Sequence, residues 1–223
     1  MAKKKQYKEA ELIKLFGLTR ITGETLSPLM QRWLTFEPPI FNVGEQYNFD
    51  EALERAQQSI DGWNEEDLKM KFISDIIPLG HLEDNGRFLT FYEKKLIGKV
   101  DGTSLSVKSD FMVAKGILNL HQNPYFHFLQ GESFGHEHKP QVNPTGEPMA
   151  QLLEAMLLAQ EKNQNGKPIY GAEIIGQYWK FVIMQDREYC ISPAFDSIKK
   201  DNLLDIIAIL RKFRHILETE LLD

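Results

Sequence analysis

The sequence predicts an α/β protein: a mixed central sheet flanked by helices, with a small helical extension over residues 1–60 ahead of the main domain, 61–223. Three patterns carry that expectation. Short alternating or apolar runs from Arg87 to Leu129 are punctuated by Asp84-Asn85-Gly86, Asp101-Gly102 and Asn123-Pro124, which is how successive strands joined by turns read. A helical stretch closed by Asn165-Gly166 separates them from further strands. The last segment then repeats Leu203, Ile206, Ile207, Leu210, Phe213 and Leu217 at helical spacing.

The elements follow in order. Leu12, Ile13, Leu15 and Phe16 suggest a short helix from Tyr7 closed by Gly17. A second helix is expected from Ser27 to Leu34, with Pro28 in its first turn. Glu37-Pro38-Pro39 breaks the pattern, and Asp50 to Ile60 reads as another helix. Asn64 caps a stronger one, whose apolar face is Leu68, Phe72, Ile73, Ile76 and Ile77. Strands are expected at 87–92, 95–100, 104–107, 109–114 and 125–129. Pro144-Thr145-Gly146-Glu147-Pro148 opens a helix to about Asn163. Strands follow at 169–175, 178–184 and 189–191.

Composition narrows the function classes. The chain has 223 residues and a net charge of -6, enough for one well-cored domain and mildly unfavourable for nucleic acid, which is usually gripped by basic surface. Lys94, Lys95, Lys99, Lys108 and Lys115 nevertheless cluster around the candidate acid-bearing strands. The competing reading is that they are solvated hairpin positions. No apolar run approaches a bilayer-spanning length and no signal-peptide pattern opens the chain, so no membrane partner is expected. Cys190 is the only cysteine; it allows neither an intrachain disulfide nor a thiolate cluster, and fits a reducing cytoplasm.

One ordered set of residues carries chemistry. Asp110 heads the apolar run Phe111-Met112-Val113, and Glu137-His138-Lys139 lies downstream, ahead of Gln151 on the expected helix. Residues two apart on a strand share a face, so Glu137 and Lys139 would project together. An acid beside an apolar run is costly if buried unpaired, so Asp110 either faces solvent or holds something.

With Asn64-Glu65-Glu66-Asp67 ahead of the strands and Ile169-Tyr170-Gly171 through Phe181 closing them, this order resembles the PD-(D/E)xK nuclease superfamily. The branch is that of type I restriction-subunit nuclease domains and their small relatives, and the likeness covers roughly Trp63 to Ile191. It implies a restriction-endonuclease-like fold and a Mg2+- or Mn2+-dependent endonuclease acting on DNA, with RNA as the less favoured substrate. It further implies that Asp110, Glu137 and the carbonyl of His138 bind the metal, helped by Glu65, with Glu66 as its alternate. Lys139 would supply charge beside the attacking water, and Gln151 would orient water or phosphate. The sequence departs from the pattern in one place. The apolar strand Tyr125–Leu129 ends at Gln130-Gly131-Glu132-Ser133, so Glu132 competes with Glu137 for the strand's acid. The spacing from Lys139 to Leu153 favours Glu137.

Each residue also has a plainer reading. Glu137 and Lys139 may form a solvated ion pair of little energetic weight. Gln151 may be a solvated helix residue, and Glu65 an acid favoured at a helix N-terminus. His127, His136 and His138 offer a zinc alternative that lacks a third ligand at recognisable spacing. Tyr178, Trp179 and Phe181 would stack on bases or, the favoured reading, pack in the core. The terminal helix packs on the sheet or docks a second copy or partner subunit. The main rival from another class is a catalytically inactive member of the same fold that binds nucleic acid or protein.

Overall fold

In a computed structural model the described residues are 7–22, 26–84, 87–117, 120–131 and 147–222. They form a mixed α/β architecture around one sheet. Its strands are β1 (Thr19–Ile21), β2 (Leu89–Val100), β3 (Thr103–Ile117), β4 (Leu120–Gly131), β5 (Ile169–Ile175), β6 (Tyr178–Gln185), β7 (Glu188–Ile191) and β8 (Phe195–Asp196). The order is β1-β7-β6-β5-β4-β3-β2, with β8 paired to β6. β2, β3 and β4 form an antiparallel meander, and β5 runs parallel to β4. The crossover from β4 to β5 carries helix α6 (Pro148–Asn163), as a parallel connection requires.

Alternation along the strands divides the apolar residues between two cores. Trp179, Phe181 and Ile183 of β6 enter one core, which also takes in α2 (Pro28–Trp33), α3 (Val43–Ser59), α5 (Ser74–Leu79) and α7 (Lys200–Ile216). Val182 and Met184, in between, enter the other with α6 and α1 (Glu9–Phe16). The core-packing reading therefore holds for Trp179 and Phe181, both fully buried, while Tyr178 is half exposed. The apolar face of α7 (Leu203, Ile206, Leu210, Phe213) is buried in the first core, so the chain covers that face itself.

The N-terminal helices are tied into the same core. Trp33 is fully buried, and its indole N–H donates to the Ile209 carbonyl at 3.1 Å. Its ring stands edge-on to Tyr170 and Phe181, with centroids 4.8 and 5.2 Å away. α5 meets α7 closely at Gly80, where a Cβ would lie 2.8 Å from Leu210 Cβ.

Local chemistry sets the helix starts. Asn42 and Glu45 cap α3 reciprocally, each side chain bonding the other's backbone N–H. The helix therefore begins well before the expected Asp50. Asn64 and Asp67 do the same for α4 (Glu65–Leu68). A π-helical turn, Lys69–Ile73, separates α4 from α5. Among the described residues no helix is long and apolar enough to cross a membrane.

Candidate functional site

β2 and β3 break their side-chain alternation at the same place. Phe91 and Leu96 of β2 both enter the core beneath α6, as do Val107 and Met112 of β3. An odd number of positions separates the members of each pair, so neither strand alternates regularly between them. The register pairs Phe91 with Met112 and Leu96 with Val107, and the slip occurs around Glu93 and Asp110. Glu93 has φ +57°, a left-handed conformation uncommon for a residue with a Cβ. On β3 the buried Ser109 hydroxyl donates to the Phe111 carbonyl at 2.7 Å. The sequence shows this slip as gaps between short runs, which is why each long strand read as two short ones. Both are continuous.

The slip opens onto a cleft of about 660 Å3. Asp110 and Glu65, expected from sequence, line it together with Glu66, Glu93, Lys69 and Lys108. Tyr92 and Met70 form its apolar rim, 51% and 63% exposed. Tyr92 is steadied by an edge-on contact with Phe111, centroids 5.3 Å apart.

Ammonium groups hold the acids. Lys69 Nζ donates to Glu93 Oε1 at 2.7 Å and lies 3.9 Å from Asp110 Oδ1 and 3.8 Å from Glu66 Oε2. Lys108 pairs with the other oxygen of Glu93. Burial works against the Lys69 charge, but the Glu93 hydrogen bond and the charges of Asp110, Glu93 and Glu66 outweigh it, so its pKa is raised above the usual 10.5. Burial likewise opposes the Glu93 carboxylate, and hydrogen bonds from Lys108 and Lys69 overcome it, lowering the pKa below the usual 4.5. Four carboxylates face two ammonium groups along the lining, a formal excess of two negative charges.

The other expected residues fall elsewhere. Gln151 sits half-buried in the first turn of α6, its N–H bonded to the Glu147 carbonyl at 3.1 Å, and is not among the cleft-lining residues. Glu137, His138 and Lys139, with Glu132 and His136, lie outside the described residues, as does the side chain of His127. Sequence reading missed Lys69 and Glu93. The signal it had was Glu93-Lys94-Lys95 interrupting one strand pattern opposite Lys108-Ser109-Asp110 interrupting the next.

Among the described residues no group of three His, Cys, Asp or Glu side chains is placed to hold a metal ion. The acids share a cleft without converging on a point, and the cation standing among them is Lys69. A search against protein-family models and a search against curated proteins both return no match.

Proposed function

We propose that the chain is a restriction-endonuclease-like protein that hydrolyses DNA phosphodiester bonds with Mg2+ or Mn2+. The observation that carries this reading is the meeting of Asp110, from the middle strand of the β2–β3–β4 meander, with Glu65, from the helix preceding it, in one cleft. The order helix, meander, crossover helix and a strand parallel to the last of the meander supports it. It agrees with the sandwich of helix, mixed sheet, helix and strands that the resemblance implies. The cleft's charge excess also supports it, because a polyanion approaching four carboxylates needs a cation to offset them.

In this reading Asp110, Glu137 and the His138 carbonyl hold the ion, with Glu65 near it, while Lys139 supplies positive charge and Gln151 orients substrate. The described acids do not complete a metal site by themselves. No step of the chemistry is therefore derived through the ion. A nicking assay on DNA and RNA tests the reading: cleavage should require Mg2+ or Mn2+, stop with a chelator and be lost in Asp110→Asn. Cleavage that persists in Asp110→Asn would place the chemistry elsewhere.

One observation favours a second reading, a non-catalytic binding module of the same fold. Lys69 already supplies positive charge to Asp110 and Glu93. A folded protein silent on every nucleic acid tested, but retaining DNA in a mobility-shift assay, would favour that reading.

A further inference from the structure

The cation in the cleft is part of the chain. We infer that Lys69 is the resident counter-ion of the cleft and sets its affinity for divalent metal, since an ion taken up at Asp110 must displace the Lys69 ammonium. The inference rests on the proposal that Asp110 is a metal ligand, and its test separates the two.

Three elements converge on Lys69. Glu66 reaches it from its own helix, Glu93 from β2 and Asp110 from β3, while only 20% of its side chain is exposed. A lysine at a cleft mouth without such partners would extend into water, since its stem is flexible and its ammonium strongly hydrated. Here it folds back onto the acids. Magnesium and manganese bind carboxylate oxygens at about 2 Å. An ion on Asp110 Oδ1, 3.9 Å from Lys69 Nζ, would stand within strong like-charge repulsion of it. The ion and the ammonium therefore compete.

Two features make the exchange feasible. Glu93 keeps its contact with Lys108 when Lys69 leaves, so only one of its partners is lost. The cleft also offers room beside Met70 and Ser74 for the lysine stem to swing. The consequence is a site held closed to weak or scarce cations, opened by a divalent ion at higher concentration or by one that arrives with a phosphate.

Mn2+ binding to the full chain, read from the free-ion paramagnetic resonance signal, tests this in wild type, Lys69→Met, Lys69→Gln and Asp110→Asn. Both Lys69 variants should bind Mn2+ roughly tenfold more tightly than wild type, within the common range of coupling between sites, and Asp110→Asn should bind none. On wild-type protein, amine-reactive labelling read by mass spectrometry should increase several-fold at Lys69 when Mn2+ is added. Unchanged affinity in both Lys69 variants, with Mn2+ still lost in Asp110→Asn, overturns the inference and leaves the metal reading standing. The same holds for unchanged labelling at Mn2+ saturation. Mn2+ binding that survives Asp110→Asn, or that is absent from wild type and both Lys69 variants, overturns both.

Discussion

Two glutamates on neighbouring parts of the sheet meet lysines, and their fates differ. Glu93 stands between Lys69 and Lys108 at an open cleft, and its pKa is lowered. Glu173 of β5 is buried beneath α6, 5% exposed, with Lys180 of β6 3.4 Å away; burial outweighs that lysine and raises its pKa. Glu173 feels the further repulsion of Glu9. The comparison teaches that a carboxylate's charge is set by how many cations answer its loss of water. One ammonium does not suffice in the interior, whereas two at a wet surface do.

The largest expected effect asks which acid-bearing region works. If the cleft is catalytic, Asp110→Asn should lower DNA nicking on the order of a hundredfold or more, the scale of losing a preorganised charged group, while Glu173→Gln should leave it nearly unchanged. Equal losses in gel-based rates would dissolve the distinction. Next comes Lys180→Met, which leaves Glu173 buried without its lysine. Urea unfolding at neutral pH should show a loss of about 1–3 kcal/mol. Lys108→Met, at an exposed pair, should cost less than about 1 kcal/mol in the same assay. A larger loss at Lys108 would reverse the comparison.

The smallest effect is in pH dependence, where the two acids have opposite signs. A raised folded pKa means the native state holds the Glu173 proton more tightly than the unfolded chain. Its contribution to stability is thus lost as pH rises from about the usual 4.5 through the raised value. Glu93, lowered, contributes stability above 4.5 and loses it as pH falls through its folded pKa. Melting temperatures across that window should fall less with rising pH in Glu173→Gln than in wild type. Glu93→Gln should lose the gain that wild type makes on leaving acid pH. Parallel curves for the two variants would contradict the assignment.

Parts of this were legible in the sequence because they are local. Asp110 heads an apolar run and Glu65 opens a capped helix, so both are visible in a short window. α7, with a clean apolar stripe, was legible for the same reason. Lys69 and Glu93 depend on a pairing that no window contains: Tyr92 opposite Phe111 and Lys94 opposite Ser109, with a left-handed residue between Tyr92 and Lys94. The start of α3 was hidden because Val43 and Tyr47, apolar yet 90% and 64% exposed, spoil the amphipathic pattern. β1 was missed because its three residues acquire strand character only by pairing with β7 from the far end of the chain. The metal, the DNA substrate and the roles given to Glu137, Lys139 and Gln151 remain proposals that follow from the resemblance.

β2 ends the order of described strands and runs for twelve residues. A long outer strand offers its unused backbone groups to any extended chain that drifts past, and so is a template for self-association. Along it Lys95 and Lys99 point outward on either side of Ile97, itself 62% exposed. Two such borders laid against each other would bring like charges together at every second residue. The same lysines that sequence reading assigned to a nucleic-acid grip thus keep the protein from polymerising through its own rim. Neutralising both should leave the fold intact and appear in light scattering as growth of large particles with time.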